Sequence, residues 1–317
     1  MKIVITGGDG FIGQALVKRL LTPAGEQQIG GKPTRITVLD MRVSSKYQDP
    51  RVVALEGSIA DKELLNKAIG DGVDMFFHLA SIPGGAAEQN FDLGLQVNLY
   101  ATINILEALR ALNTKPRLVF ASTIAVYTNR PTELIDENTL PDPFLSYGTH
   151  KLMGEYLVSD YSRKGFIDGV SVRIPGIVAR PPVAAGLLSA FLSDIITSLS
   201  SGKSFVCPVS AQGTSWFASR ECMVDNLLHA SVLPAEVAAK QRTWQMPVLR
   251  LSLGELVQAI ASIYGQDVLS RVTYEPNEKL EAGFARQPPL NVPKSLAAGF
   301  RTDGDAVTLV KRALQGL

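Results

Sequence analysis

The chain has 317 residues, of which 46% are hydrophobic and 19% are charged. This composition supports a sizeable core and excludes an intrinsically disordered chain. The 31 basic and 30 acidic side chains leave a net charge of +1, which excludes a general electrostatic attraction to nucleic acid or to an anionic membrane.

Apolar runs alternate with helical patterns over the first half of the chain. The runs typical of buried parallel strands are 2–6, 36–39, 52–55, 75–79, 118–121 and 170–174. Helical spacing occupies 11–21, 61–68, 93–112 and 147–161, with Asp61 as a predicted N-cap, whereas 22–33 is rich in glycine and predicts a loop. The alternation predicts an α/β fold, a Rossmann-type doubly wound parallel sheet with helices on both faces.

The pattern changes after residue 175. Pro181 and Pro182 break the chain, an apolar helix is predicted near 187–199, and short mixed elements follow. We therefore expect two domains, residues 1–175 and a smaller C-terminal lobe at 176–317.

Cysteine, histidine and hydropathy patterns set the expected environment. Cys207 and Cys222 are too few for a disulfide framework and indicate a reducing compartment, and the histidines lack ligand spacing, so no metal site is predicted. No stretch reaches the ~18 apolar residues of a membrane span, and the N-terminus shows no cleavable signal. We expect a soluble, cytoplasmic protein.

A glycine-rich run, TGGDGFIG at 6–13, follows the first strand and opens the first helix. In that context it predicts a dinucleotide site. Gly7 permits the tight turn, Gly10 lets the backbone approach a pyrophosphate, and Gly13 lets the helix pack closely, while the helix N-terminus offers N–H groups to the anion.

Asp40 ends the second predicted strand, where a carboxylate can accept hydrogen bonds from the adenosine ribose. A carboxylate there repels a 2′-phosphate, which favours NAD over NADP. Arg42, two residues further on, is the one feature that points toward NADP.

Tyr147 and Lys151 lie four residues apart on a predicted helix and therefore share a face. A lysine ammonium beside a phenol favours the phenolate and lowers a reference pKa of ~10, which makes a general base for an alcohol proton. The pair predicts a catalytic site because it follows the fifth strand of a sheet that already carries the dinucleotide run.

Hydroxyl and small side chains follow the fourth and fifth strands. Ser122 and Thr123 are placed to hydrogen-bond a substrate oxygen in the crevice at the carboxyl ends of the strands, and Ser81 ends the fourth strand in the same crevice. His78 is interpreted as a packed histidine rather than a base.

These signals together resemble the extended short-chain dehydrogenase/reductase family over the whole chain, with further matches at 78–80, 97–99, 126–127 and 173–175. The resemblance implies a homodimer that binds NAD and a small-molecule substrate through residues 1–175 and 176–317, respectively. It implies catalytic roles for Tyr147, Lys151, Thr123 and Ser122. The implied cofactor contacts are Gly7, Gly10, Phe11, Ile12, Gly13, Asp40, Ser58, Ile59, Leu79, Ala80, Ser81, Asn98, Tyr147, Lys151 and Pro175. The implied substrate contacts are Ser81, Ser122, Thr123, Tyr147, Arg180 and Arg220.

Within this family the chain is most similar to a group of sugar-acid dehydrogenases, which implies oxidation of a four-carbon sugar acid. The segment after Arg180 departs from that group, since it reads Pro182-Val183-Ala184-Ala185, and Phe217 stands where the group tends to have a histidine. The alternatives are a nucleotide-sugar epimerase or dehydratase, a dehydrogenase for a neutral alcohol or ketone, and a redox sensor that holds NAD without turnover.

Overall fold

The computed structural model describes residues 1–43, 47–70, 72–129, 133–180 and 189–315. The chain divides into two compact units. Unit one comprises 1–130, 140–174 and 224–245, and unit two comprises 131–139, 175–223 and 246–317.

The strands of the described residues are, in chain order, β1 (Lys2–Thr6), β2 (Arg35–Asp40), β3 (Val52–Glu56), β4 (Met75–His78), β5 (Arg117–Thr123), β6 (Ile135–Asp136), β7 (Asp168–Ile174), β8 (Phe205–Cys207), β9 (Thr214–Phe217), β10 (Thr243–Gln245), β11 (Leu249–Ser252), β12 (Val272–Tyr274) and β13 (Leu290–Asn291). Unit one contains a parallel sheet in the order β10-β7-β5-β4-β1-β2-β3. Its order reverses direction beside β1, which is the switch point where α/β sheets bind ligands. The predicted fold class is confirmed.

The α-helices of the described residues are α1 (Phe11–Leu20), α2 (Pro23–Gln28), α3 (Lys62–Ile69), α4 (Gly84–Gln89), α5 (Phe91–Gly94), α6 (Ala101–Ala111), α7 (Ser146–Arg163), α8 (Phe191–Ser200), α9 (Arg220–Val232), α10 (Ala235–Lys240), α11 (Leu253–Tyr264), α12 (Glu278–Phe284), α13 (Pro293–Ala297) and α14 (Ala306–Leu314). A π-helical segment, Leu95–Tyr100, joins α5 to α6, and two 3₁₀ turns cover Ile124–Tyr127 and Gln266–Arg271. None of the helices in the described part of the chain is long and apolar enough to cross a membrane.

Three local predictions differ from the structure. Residues 22–33 are not all loop, because the Thr22 side chain accepts a hydrogen bond from Gly25 and Pro23 occupies the first turn, so α2 forms. The predicted helix at 93–112 is α5, a π segment and α6 in succession. The predicted helix near 187–199 is α8, which runs from Phe191, and residues 187 and 188 lie outside the described residues.

The chain passes between the units more often than a single boundary after residue 175 allows. Residues 224–245 belong to unit one because β10 pairs with β7 in the sheet, and residues 131–139 belong to unit two because β6 pairs with β13. Helix α9 starts in unit two and ends in unit one.

Each unit has its own apolar core. In unit one, Phe76, Leu118 and Phe120 from the sheet pack with apolar residues of α3 and α6. In unit two, buried residues of α8, α11 and α14 form a separate cluster that includes Val178 and Ala179. The residues that carry the candidate chemistry lie mainly at the carboxyl ends of the unit-one strands.

Candidate active site

The glycine-rich loop is closed by two contacts that only glycine permits. Gly7 has a φ of +72°, and a Cβ at this position would lie 2.6 Å from the backbone nitrogen of Ala80. A Cβ at Gly13 would lie 2.2 Å from the carbonyl oxygen of Gly7. Helix α1 therefore starts directly against the loop, with Phe11 and Ile12 in its first turn and Gly10 as the residue before it. This geometry presents backbone N–H groups to an anion.

Asp40 lies at the end of β2 and faces this loop. Its carboxylate accepts hydrogen bonds from the backbone nitrogens of Asp9, at 2.9 Å, and Met41, at 2.8 Å. Burial raises the pKa of Asp40, these hydrogen bonds oppose that shift, and the charge of Asp9 adds to it. The carboxylates of Asp9, on the loop, and Asp40, at the end of β2, are therefore close neighbours where the adenosine ribose is predicted to bind.

Tyr47 is a loop contact that the sequence analysis missed. Its hydroxyl donates a 3.0 Å hydrogen bond to the carbonyl of Gly8. Burial, together with the charges of Asp9 and Asp40, raises the pKa of Tyr47 to about 12, so the phenol stays protonated and remains a donor. The sequence around Tyr47 contains no motif that would predict this contact, because Tyr47 is a single tyrosine in a polar stretch.

The segment after β4 is held by Asn98. The amide of Asn98 accepts a 2.8 Å hydrogen bond from the backbone nitrogen of Ile82 and donates a 3.0 Å bond to its carbonyl oxygen. Asn98 is buried within the π-helical segment, a feature that recurs at functional sites. It thereby fixes the backbone of Ile82, which directly follows Leu79, Ala80 and Ser81. Of the other predicted cofactor contacts, Ser58 and Ile59 follow β3 after a single glycine, Gly57.

His78 is packed rather than catalytic. Its Nδ1 lies 2.8 Å from the Thr6 hydroxyl and its Nε2 lies 3.0 Å from the Thr102 hydroxyl. Burial, and then the charge of Lys151, holds its pKa well below the ordinary value, so the ring is neutral. His78 therefore links β1 and β4 to the helix behind them.

Lys151 is the most unusual charged residue of the site. The side chain is only 1% exposed, and its Nζ lies 4.9 Å from the ring centre of Phe120 and 5.9 Å from that of Tyr147. Its ammonium makes no hydrogen bond to any residue in the described ranges. Burial lowers the pKa of Lys151 from 10.5 to about 7.

Helix α7 places Tyr147 next to the end of β5. Gly148 follows Tyr147, and a Cβ there would lie 2.5 Å from the carbonyl oxygen of Ala125. Thr123, the last residue of β5, accepts a 3.1 Å hydrogen bond from the backbone nitrogen of Ala125. The first turn of α7 therefore rests on the turn that Thr123 caps, and the hydroxyl proton of Thr123 remains available for an acceptor.

A buried ion pair, which the sequence analysis also missed, lies further along α7. Glu155 accepts a forked pair of hydrogen bonds from Arg173 on β7, at 2.9 and 2.7 Å. Ser122 donates to the same carboxylate, and Arg173 also donates to the hydroxyl of Tyr127. The Ser122 hydroxyl is thus engaged inside the protein.

The remaining predicted residues belong to unit two. Pro175 is buried immediately after β7. Arg180 follows Ala179, which has a φ of +56°, and its Nε donates to the carbonyl of Ile177 at 3.2 Å. Arg220 donates to the carbonyl of Gln315 at 2.8 Å and its Nε lies 3.4 Å from the carboxylate of Glu221.

The predicted substrate segment after Arg180, residues 181–188, lies outside the described residues. In the part of the chain that the structure describes, no group of histidine, cysteine, aspartate and glutamate side chains is arranged to hold a metal ion.

Unit one fits a bound dinucleotide on two structural grounds. The loop at Gly7 passes so close to the backbone of Ala80 that only glycine fits, and α1 starts directly after this loop with its N-terminus toward the place of the predicted pyrophosphate. The ammonium of Lys151 lacks a hydrogen-bond partner in the described chain, and buried charges without such partners are costly, so a ligand hydroxyl would complete the site.

The model of the NAD dependent epimerase/dehydratase family matches residues 3–221. The chain belongs to this family. Membership confirms the resemblance found in the sequence and the prediction of NAD as the cofactor.

Two curated relatives are similar to this family member over nearly its whole length. They are the D-erythronate dehydrogenases of Cupriavidus necator and Haemophilus influenzae, each 34% identical and covering 99% of this chain, with 98% and 99% of their own length matched.

Solved structures agree on the fold. A nucleoside-diphosphate-sugar epimerase from Agrobacterium tumefaciens superposes with a TM-score of 0.88 at 31% identity and covers 98% of this chain and 92% of that one. An L-threonine dehydrogenase from Cupriavidus necator superposes with a TM-score of 0.81 at 19% identity, with both chains fully covered.

Proposed function

We propose that this protein is an NAD-dependent dehydrogenase that transfers a hydride between NAD and the secondary alcohol of a four-carbon sugar acid such as D-erythronate. The observation that carries the proposal is the pair of Tyr147 and Lys151 on one face of α7, with Lys151 buried and lacking a hydrogen-bond partner in the described residues. The two full-length relatives named D-erythronate dehydrogenase support the substrate class.

Tyr147 is the proposed general acid/base. In the oxidation, the phenolate takes the proton from the substrate hydroxyl while the hydrogen on the same carbon leaves as a hydride, which produces a ketone and NADH. The bound cofactor supplies the hydride acceptor. The Lys151 ammonium favours the phenolate and binds the nicotinamide ribose, and the Thr123 hydroxyl holds the substrate oxygen in line with Tyr147.

The cofactor is proposed to be held by the unit-one loop and by Asp40. Backbone groups from Gly7 to Gly13 receive the pyrophosphate, and Asp40 accepts from the adenosine ribose. Tyr47 ties the loop to the chain beyond β2 through Gly8. Residues 1–175 therefore carry the cofactor and the proton transfer in this proposal, and residues 176–317 contribute mainly to substrate binding.

A substrate carboxylate needs a cationic or hydrogen-bonding partner, because burying it alone costs several kcal/mol. Arg180 and Arg220 are the proposed partners. Arg180 donates to the carbonyl of Ile177 and Arg220 to that of Gln315, so each guanidinium is already oriented by a contact within the protein. An apolar pocket would favour a neutral alcohol or ketone instead.

A nucleotide-sugar epimerase is the second candidate, favoured by the 31% identical structure that bears that name. Tyr147 and Lys151 would serve either reaction. The two differ in net redox change, because a dehydrogenase forms one NADH for each substrate consumed and an epimerase forms none.

The deciding experiment incubates the purified protein with NAD and a panel of sugar acids, nucleotide sugars and simple secondary alcohols. Stoichiometric NADH formation with D-erythronate or another four-carbon acid is expected. Tyr147→Phe serves as the matched control, since it removes one hydroxyl. Conversion of a nucleotide sugar without NADH would replace this proposal with epimerisation, and NAD binding without any turnover would indicate a sensor.

We further propose a cytoplasmic homodimer that acts in carbohydrate metabolism and does not bind nucleic acid. Five large apolar side chains are exposed on α5, on the π-helical segment that follows it and on α7: Phe91, Leu93, Tyr100, Met153 and Tyr156. Helices α6 and α7 lie side by side, since the Tyr161 hydroxyl donates to Glu107. Cys207 and Cys222 are both buried and are not joined in a disulfide, which suits a reducing compartment.

The dimer is tested by light scattering after size-exclusion chromatography. Tyr156→Glu is expected to give a monomer, because a charge on a buried apolar interface is strongly unfavourable. Val206→Glu, at an exposed apolar residue in unit two, is the control and leaves the dimer intact. An unchanged mass for Tyr156→Glu would place any interface elsewhere.

A further inference from the structure

The third acidic or basic side chain on the catalytic face of α7 is Glu155. Tyr147, Lys151 and Glu155 are spaced four residues apart, so each lies about 6 Å further along the same helix face. Glu155 is only 3% exposed and touches the sheet rather than the predicted crevice. Its contacts therefore determine how α7 sits on the sheet.

These contacts converge on the strand ends that carry the other site residues. Ser122 and Arg173 are neighbours in the register of β5 and β7, and both donate to the Glu155 carboxylate. Thr123 follows Ser122 directly. One carboxylate thus connects the helix of Tyr147 and Lys151 to the strand that ends in Thr123.

The helix also approaches the sheet very closely at this point. A Cβ at Gly154 would lie 2.6 Å from the ring of Phe120, the same ring that lies under Lys151. Because there is no free space between helix and sheet at this point, a displacement of Glu155 also displaces Lys151, one turn away on the same helix.

We propose that the Glu155–Arg173 ion pair has a positioning role. It fixes the distance between α7 and the sheet, and it leaves no net charge next to Lys151. In this view Ser122 is a positioning residue that acts through Glu155 and does not touch the substrate. The measurement of kcat that tests this inference rests on the proposed function, whereas the measurement of cofactor binding does not.

Charge balance is the property that distinguishes this role from simple stabilisation. The forked contact neutralises the guanidinium of Arg173, which also donates to Tyr127 and lies 5.0 Å over its ring. The titratable groups that face Lys151 are Tyr147 on its own helix and the neutral His78 on β4. Without the Glu155 charge, Arg173 becomes an unbalanced cation near Lys151 and disfavours its protonated form.

The test compares Glu155→Gln with Asp168→Asn. Asp168 is a matched control because it forms a half-buried ion pair with Arg117 on the same two strands, β5 and β7, at their opposite ends. Both variants should lower the melting temperature. Only Glu155→Gln should also lower kcat, by roughly 10-fold, since small misplacements of reacting groups are expensive.

The second readout is the pH dependence of NADH binding, followed by cofactor fluorescence, and it needs no substrate. Affinity in the wild type should fall as pH rises through about 7, where Lys151 loses its proton. In Glu155→Gln the midpoint should move down by roughly 0.6 to 1.2 pH units, the size expected for one charge ~10 Å away at an effective dielectric constant of ~20 to 40. Glu155→Gln/Arg173→Met should restore the midpoint without restoring kcat.

Equal behaviour of Glu155→Gln and Asp168→Asn, with kcat and the binding midpoint unchanged in both, overturns the proposal. If Glu155→Gln does not fold, Ser122→Ala replaces it, because that change removes a single hydrogen bond. It should lower kcat a few-fold with KM unchanged, whereas a raised KM alone would mean that Ser122 contacts substrate. If the wild type oxidises no alcohol, the proposed function fails while the binding midpoint still decides this inference.

Discussion

Replacing Lys151 with methionine should stabilise the protein without cofactor. Methionine keeps a side chain of similar length and removes a buried ammonium that has no hydrogen-bond partner in the described residues. The folded pKa of about 7 lies below the unfolded value of 10.5, so folding disfavours the charged form. At ~1.4 kcal/mol per pKa unit the shift corresponds to an upper limit of about 5 kcal/mol.

The pH window follows from the same two values. Between pH 7 and 10.5 the unfolded chain binds a proton that the folded chain does not, so the stability of the wild type rises with pH across this window. The advantage of Lys151→Met is therefore complete below pH 7 and disappears as pH approaches 10.5.

Denaturant unfolding at pH 6.5 and pH 9.5 measures this difference, with about 2 kcal/mol or more expected at the lower pH. The exposed Lys164, at the end of α7, gives the control variant Lys164→Met, for which no comparable gain is expected. NAD should stabilise the wild type far more than Lys151→Met. A loss of stability in ligand-free Lys151→Met would show that the protein itself satisfies the ammonium, and the argument for a cofactor contact would fail.

Four further outcomes are expected. Tyr147→Phe should lower kcat by ~10²-fold or more while the Kd for NADH stays unchanged, and retention of a tenth of the activity would exclude the acid/base role. The wild-type kcat/KM should be higher with NAD than with NADP, and Asp40→Ser should narrow that ratio, because one of two carboxylates near the ribose is removed. Gly13→Ala should abolish NADH binding and lower the melting temperature, since its Cβ would lie 2.2 Å from a carbonyl oxygen. Arg180→Ala or Arg220→Ala should raise KM steeply for a sugar acid and hardly for a neutral alcohol; no effect of either change on KM would favour an apolar substrate.

The sequence predicted those features that depend on local backbone chemistry. The glycine run could be interpreted because Gly7 and Gly13 meet constraints that no other residue satisfies. The spacing of Tyr147 and Lys151 fixes a shared helix face without knowledge of the tertiary structure. Both signals are short-range, and both describe positions that the fold then places at the carboxyl ends of the strands.

Features that depend on pairing between distant segments were missed. Glu155 and Arg173 form their pair only when β7 takes its register beside β5, and no spacing rule connects a helix to that strand. The π-helical segment around Asn98 carries the same apolar periodicity as an α-helix at this length, so it was included in one continuous helix. At α2 the glycine and proline content favoured a loop, although Pro23 is in the first turn, where proline is well tolerated.

Unit one is assembled from three separate stretches of the chain, and this has a consequence for its biosynthesis. The edge of β7 stays unpaired until β10, at 243–245, has left the ribosome. Arg242, from the same late segment, forms a 2.6 Å ion pair with Asp168 at the start of β7. The carbonyl oxygens of Ala230 and Leu233 accept hydrogen bonds from Arg117 at the start of β5, so the segment also provides partners for both charged side chains at these strand ends. A nascent or truncated chain that stops after residue 175 would expose an open, largely apolar strand edge, and such edges promote aggregation. Chaperone engagement is therefore expected to persist at least until about three quarters of the protein has been translated.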